Sequence, residues 1–134
     1  MTLSALKTTI KSTLTDDETL AALNEGGVFD KLAPDGTSTP YITYRIVEWQ
    51  DDYTMGAQIL TGYRVDISCW TEDLDGSDVT AMADRIHALL TDGTFTVSGK
   101  TTMRIRRVGG TDNIEQMSST IFQNITSSFQ IELT

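Results

Sequence analysis

Two residues of the chain could support nucleophilic chemistry, since Cys69 is the only cysteine and His87 the only histidine. A cysteine nucleophile needs a nearby base, and a catalytic triad needs a third group that orients the base. Cys69 shares a predicted strand face with Val65 and Ile67, and His87 lies beside the apolar stripe of a predicted helix. No orienting group is evident. We therefore interpret Cys69 as a small core residue and predict a protein that is not an enzyme.

The acidic turn EDLDGSD, residues 72–78, is a candidate calcium loop. An EF-hand loop needs a Gly at its sixth position and a Glu at its twelfth. Counting from Asp73 places Gly76 fourth and Asp84 twelfth, so the pattern fails and a solvated turn that caps a helix is the better interpretation. A single cysteine excludes multi-cysteine metal sites, and the GxGxxG and GxxxxGK[ST] phosphate motifs are absent. We predict no metal, no cofactor and no catalytic residue.

Hydrophobic periodicity defines the elements that would hold these residues. Apolar residues spaced by three and four predict helices over residues 3–14 and 77–90, and a short helix after a capping box at Thr15 and Glu18. Alternating residues predict strands over residues 28–32, 41–49, 59–70 and 121–133, and a hairpin around Ser98-Gly99. The polar segments 50–58 and 109–119 are predicted to be exposed hairpin loops.

These elements predict one α+β domain over residues 1–134. A largely antiparallel sheet would carry the helices on one face. The expected core is formed by residues whose periodicities converge on one apolar layer: Val65, Ile67 and Cys69 of the strand under Val79, Met82 and Ile86 of the helix. The opposite face of the sheet is predicted to be polar.

The net charge of −9 excludes the basic surface typical of proteins that read nucleic-acid grooves. The acidity has two interpretations: it provides solubility, or it lets the surface pass near DNA without binding it. The apolar runs are too short to span a membrane, and the segment MTLSALKTTIKSTL lacks the features of a secretory signal. We expect a reducing cytoplasm, or a particle assembled there.

The segment MRIRRVG contains the only basic cluster. One explanation is ordinary cross-strand pairing with acids of a neighbouring strand; the other is a contact with the acidic surface of a second copy. The acidic partners would come from Asp51-Asp52 or from the turn Glu72-Asp73-Asp75. The candidate oligomer interface comprises Arg64, Asp66, Arg104, Arg106, Asp51 and Asp52.

The order of these parts resembles a family of small tail-completion proteins of tailed bacteriophages, the tail-terminator or tail-to-head joining proteins. The resemblance rests on an N-terminal helix, on GGVFDKLAPDGTSTPYITY with its Pro40-Tyr41 step, and on RVDISCWTEDLDGSDVTAMADRIHALL with a strand that ends near Trp70. It covers most of the chain and is weakest in GTDNIEQMSSTIFQNITSS. The order of the parts carries it more than any single motif.

The resemblance implies a structural protein of the virion tail or neck, assembled in the host cytoplasm. Such proteins form rings, usually hexameric, on the last ring of the tail tube protein, stop tube growth and face a connector protein of the head and neck. Genome DNA passes through the hole without specific binding, and no membrane is involved. The alternatives are another phage neck or head-completion protein, or a small soluble enzyme or ligand-binding module, which would need a pocket with convergent polar groups.

Overall fold

The computed structural model describes residues 2–34, 36–54, 57–72, 77–91, 96–97, 100–117 and 120–133. Side chains are described in these ranges except at residues 2, 51–54, 57–60, 96–97, 100–104, 116–117 and 120. The elements in chain order are α1 (Thr2–Asp16), α2 (Glu18–Leu23), β1 (Val28–Asp30), β2 (Tyr41–Thr54), β3 (Ala57–Thr71), α3 (Ser77–Thr91), β4 (Thr96–Val97), β5 (Lys100–Met117) and β6 (Thr120–Leu133). No helix in these ranges is long and apolar enough to cross a membrane.

The strands form a sheet in the order β1-β2-β3-β6-β5-β4. The four long strands, β2, β3, β6 and β5, are antiparallel neighbours. The three-residue β1 lies parallel to β2, and the two-residue β4 pairs only with the first residues of β5. The predicted fold class, a largely antiparallel sheet in an α+β domain, is therefore confirmed.

One core lies between the helices and one face of the sheet. Leu6, Ile10 and Leu14 recur on one side of α1 and are fully buried. The predicted core residues of β3 and α3 join the same cluster: Val65, Ile67, Cys69, Val79, Met82 and Ile86. Phe129, Ile131 and Leu133 of β6 extend it, as their alternation predicts. The prediction that α3 covers this face of β3 is confirmed.

The start of α2 differs from the sequence-based prediction. The N-cap is Asp17 and not Thr15, which lies within the longer helix α1. Asp17 accepts a hydrogen bond from the backbone N–H of Leu20 at 2.9 Å through its carboxylate, as N-cap residues do. Thr15 and Glu18 matched a capping box in spacing only. The cap is set by where α1 ends, which the local pattern did not define.

The two segments predicted to be loops are strands. β2 continues to Thr54 and β3 begins at Ala57, so most of segment 50–58 pairs across a hairpin. β5 likewise runs through segment 109–119 as far as Met117. Residues 55–56 and 118–119 lie outside the described part of the chain. The polar composition of residues 109–115 was misleading because these strand residues are all exposed and need no apolar alternation.

Candidate interaction surface

The helices cover only one face of the sheet. The buried residues of α1, α2 and α3, apart from Ala83, belong to the core cluster on that face. Residues at alternate positions of the strands point to the opposite face, which we call the open face. It carries Arg45, Arg64, Asp66, Ser68, Thr126, Ser128, Gln130 and Arg106, none of which joins the core cluster. The polar open face predicted from the sequence is present.

The strand register places charged residues of the open face in rows across the sheet. One row runs Glu48–Arg64–Gln130–Arg106 from β2 to β5. The next row contains Arg45, Asp66 and Ser128. Three residues of the candidate interface, Arg64, Asp66 and Arg106, are thus brought to one face. The rows put residues of opposite charge on neighbouring strands β2 and β3, as the cross-strand interpretation expects.

Three other candidates are placed only by their backbones. Arg104 lies opposite Glu132, while Asp51 and Asp52 lie opposite Thr61 and Leu60. Two strands separate the β2 acids from the β5 arginines, a spacing of roughly 14 Å at about 4.8 Å per strand. Within one copy, Asp51 and Asp52 of β2 are therefore too far from Arg104 and Arg106 of β5 to form ion pairs with them. Glu72 is exposed, and Asp73 and Asp75 lie outside the described residues.

The arginines of the open face have no carboxylate partner among the described residues. The salt bridges in that part of the chain are Lys7–Asp30 and Arg85–Asp17. Asp66 is engaged by Ser128, whose hydroxyl donates to Oδ1 at 2.6 Å. Arg64 and Arg106 are exposed and form no such pair. Among the side chains that the structure describes, Arg64 and Arg106 therefore form no cross-strand ion pair.

An aromatic row crosses the open face at one end of the sheet. Phe29 meets Tyr41 edge to face, Tyr41 stacks on Trp70 with ring centroids 6.1 Å apart, and Trp70 meets Phe122 edge to face. The indole N–H of Trp70 donates to Thr43 Oγ1 at 3.0 Å. Burial, with Glu115 and Glu72 nearby, raises the pKa of Tyr41. This row was not predicted from the sequence, although Tyr41 and Trp70, aromatic residues at the ends of paired strands, were a usable signal.

Two strand edges remain open. β1 pairs with β2 only at residues 42–44, so the edge of β2 is unpaired from Arg45 onward among the described strands. β4 pairs with β5 only at residues 100–101, which leaves the rest of the β5 edge unpaired in the same sense. Bulges leave Val47 in β2 and both Met103 and Val108 in β5 without a cross-strand partner in the register. Open edges with long strands readily pair with another chain.

The two ends of the sheet both expose large apolar side chains. The β2–β3 hairpin turns beyond the Thr61–Leu133 pair, and the β5–β6 hairpin turns beyond Thr71–Gln123, at the opposite end. Trp49 near the first turn is 56% exposed, and Ile114 near the second is 68% exposed. Ile121 lies near Ile114 and is also exposed. Exposed apolar residues of this size are typical of protein contact sites when they cluster.

Cys69 and His87 do not form a catalytic site. Cys69 is buried in the core, and that burial, with a smaller effect of Asp78, raises the pKa of the thiol to about 12. The thiol is therefore protonated at neutral pH and is a poor nucleophile. His87 lies on α3 and is half-buried. Among the described residues, no group of three or more His, Cys, Asp or Glu side chains could hold a metal ion.

A groove of about 520 Å³ separates α3 from the β5–β6 hairpin. Thr80 and Asp84 line it from the helix, and Arg107 and Asp112 line it from β5. Gly109 and Gly110 of β5 and residues 125–127 of β6 also line it. Arg107 lies on this side of β5, while Arg106 lies on the open face.

Comparison with protein families gives one match over most of the chain. The family described as tail completion protein gp17 matches residues 8–124. The match includes α1 from Thr8 onward, α2, the β2–β3 hairpin, α3, β5 and β6 as far as Asn124. No curated protein matches the chain in sequence.

Comparison with solved structures shows that the fold has been seen before. A chain in the structure of the virion of a native gene transfer agent particle superposes with a TM-score of 0.82 and 17% sequence identity. The alignment covers 98% of this chain and 96% of that one. A second solved structure, known only by a sequence identifier, gives a TM-score of 0.59 at 12% identity, with the same coverage of both chains.

Proposed function

The chain belongs to the family of tail completion protein gp17, a family of structural proteins of phage-like virions and not of enzymes, and we propose that it forms the ring that ends the tail tube and joins the tail to the head. The family match over residues 8–124 is the observation that carries this proposal. The similarity to a chain of a gene transfer agent virion supports it through the fold alone.

The unpaired arginines support a ring of identical copies. Arg64 and Arg106 are exposed without a carboxylate partner among the described residues, in a chain whose net charge is −9. A second copy can supply the missing acids. Asp51 and Asp52 are suited to this because their strand, β2, lies toward the opposite edge of the sheet from β5. A contact between two different surfaces of identical chains repeats from copy to copy, and it produces a ring when the rotation closes. The proposed interface is Arg64, Asp66, Arg104 and Arg106 with Asp51 and Asp52 of the next copy.

The opposite hairpin ends support a joint between two neighbours. A protein that joins tail to head needs one contact surface toward the tail tube protein and another toward the connector of the head and neck. Trp49 at one end of the sheet and Ile114 with Ile121 at the other provide exposed apolar side chains for two such contacts. Buried aromatic and aliphatic anchors contribute most of the free energy of protein contacts.

The acidity fits passage of DNA through the ring. Copies that each carry −9 would repel phosphates within about 8–10 Å at physiological salt. Genome DNA would then pass through the hole without specific binding. We place the ring in the virion, in the tail or neck, after assembly in the host cytoplasm, and without a membrane partner.

Particles assembled without this protein test the proposed function. A protein that stops tube growth leaves tails of irregular and increased length when it is absent, and these tails carry no heads. Electron microscopy of the particles measures both. Restoring the wild-type chain should restore uniform length and attached heads.

The same images distinguish the proposed function from the alternative, a head-completion or other neck protein. Tails of normal, uniform length that lack heads would contradict a role in stopping tube growth and favour that alternative. Normal particles with heads attached would contradict both functions.

A further inference from the structure

We infer that neighbouring copies join by strand pairing, with the open edge of β5 in one copy adding to the open edge of β2 in the next. This inference rests on the proposed ring and gives its contact a definite geometry. The contact lies along strand edges, whereas the charged residues considered above are spread over a whole sheet face. It would make one continuous sheet through all copies.

The charges of the two open edges are complementary. The β2 segment 48–54, which follows the bulge at Val47, contains three acids and no base: Glu48, Asp51 and Asp52. The β5 segment 102–107, which precedes the bulge at Val108, contains three arginines and no acid: Arg104, Arg106 and Arg107. Opposite charges on paired strands stabilise a sheet and like charges destabilise it.

This charge pattern favours one way of joining. A symmetric contact of the β2 segment 48–54 with its own copy would place acids against acids, and one of the β5 segment 102–107 with its own copy would place arginines against arginines. The β5 segment against the β2 segment brings opposite charges together. Such a contact uses different surfaces of the two copies, so it produces a ring when the rotation closes.

The strand register supports the same contact. Glu48 and Arg106 stand at the two ends of one row, with Arg64 and Gln130 between them. When the row continues into the next copy, Arg106 of one copy approaches Glu48 of the other at the same height. Both residues are exposed. Because β2 and β5 run in opposite directions within the sheet, the new pairing is antiparallel, like every other pairing of the long strands.

The direction of the helices then determines what lines the ring. The helices cover one face and must lie outside, because they would otherwise fill the hole. The open face, with Arg64 and Asp66, then faces the channel. Each copy adds four long strands, and barrels of about sixteen strands or more leave an aqueous channel.

Charge reversal of each edge tests the inference. The first variant is Arg104→Glu with Arg106→Glu, and the second is Glu48→Arg with Asp52→Arg. Each variant alone places like charges at every contact, so we expect the protein concentration needed for half-assembly to rise at least roughly tenfold. An equimolar mixture pairs the reversed edge of each variant with a complementary edge of the other. The mixture should therefore assemble again, with the two variants alternating.

Lys11→Glu is the control for a general effect of charge reversal. Lys11 is an exposed base on α1, away from both open edges. Edge pairing predicts that this variant assembles like the wild type. Assembly lost equally in Lys11→Glu and in the Arg104→Glu, Arg106→Glu variant would overturn the edge pairing.

A cysteine pair provides a second measurement that does not depend on the fold of the charge variants. In a Cys69→Ala background, Glu48→Cys with Arg106→Cys should give covalent chains of several copies on oxidation. Glu48→Cys with Arg64→Cys should close within one copy, since the two positions pair across β2 and β3. If the wild-type chain forms rings but the Glu48→Cys, Arg106→Cys variant gives no cross-links between copies, edge pairing is overturned and the proposed ring stands. Absence of wild-type assembly and of cross-links at any concentration would contradict both.

Discussion

Arg85 on α3 holds both carboxylate oxygens of Asp17, the residue that caps α2. The guanidinium Nε donates to Asp17 Oδ2 at 2.9 Å, and Nη2 donates to Oδ1 at 2.6 Å. Asp17 Oδ2 also accepts the backbone N–H of Leu20. One carboxylate thus starts a helix of only six residues and ties it to α3. A helix this short depends on such contacts because its own propensity is too weak to hold it.

Asp17→Ala should lower the free energy of unfolding by about 0.5–2 kcal/mol through loss of the cap. Asp17→Asn keeps an acceptor for Leu20 but loses the charge, so its effect should be smaller. Urea unfolding measures both. Asp16→Asn, at an exposed neighbouring carboxyl, is the control and should leave stability unchanged. An equal effect at Asp16 and Asp17 would contradict the assigned cap.

The same pair predicts a pH dependence. The hydrogen bond from Arg85 holds the pKa of Asp17 below its usual value. A carboxyl whose folded-state pKa is lowered adds stability above its unfolded pKa of about 3.9, and this stability is lost as the pH falls through the folded value. The difference in stability between wild type and Asp17→Asn should therefore be present at pH 7 and shrink in acid. A difference that grows below pH 4 would contradict the assignment.

Ile86 tests the packing of α3 on the sheet. Its side chain is 1% exposed within the core cluster, so Ile86→Ala should cost about 2–5 kcal/mol of stability. Leu89, one turn along and only partly buried, is the matched control, and Leu89→Ala should cost less. Thermal or urea unfolding measures both variants. Equal costs at the two positions would show that α3 is rotated relative to the structure described above.

The thiol of Cys69 should be unreactive in the folded protein. A buried thiol with a pKa of about 12 has almost no thiolate at neutral pH. A thiol reagent should therefore react only after unfolding by denaturant, and Cys69→Ala should assemble like the wild type. His87→Ala should assemble as well. A hydrolytic activity that is lost in both variants would overturn the structural role.

The exposed apolar residues at the two hairpin ends should matter for attachment and not for the ring. Trp49→Ala should weaken binding at one end by at least roughly tenfold, as loss of a central anchor does, and Ile114→Asp should do so at the other end. Each variant should still form rings. Pull-down of tail tubes and of heads by each variant measures the two contacts separately. Loss of both contacts in both variants would show that the two ends are not independent.

The helices and the inner strands could be predicted from the sequence because burial imposes periodicity. Val65 to Cys69 alternate because one side meets α3, and α3 shows its stripe because one side meets the sheet. The outer parts of the hairpins could not be predicted in this way. Residues such as Thr111 and Asn113 are exposed strand residues, and exposed strands tolerate the same polar residues as loops.

The surface was predictable only in part. Arg64, Asp66 and Arg106 follow from alternation along their own strands, so their common face could be inferred. The edges could not, because the position of β6 between β3 and β5 is set by long-range pairing. The aromatic row has the same origin: Phe29 and Phe122 are distant in sequence and are linked only through β2 and β3.

Assembly of the purified wild-type chain tests the central claim most directly. Light scattering after size-exclusion chromatography gives the mass of the particle, and negative-stain microscopy shows its shape, both across a series of salt concentrations. We predict closed rings of one discrete mass with a central hole, which dissociate toward folded monomers as salt screens the contacts between Arg106 and the acids of the next copy. A chain that stays monomeric at every protein and salt concentration, or that forms only two-fold dimers without a hole, would contradict the claim.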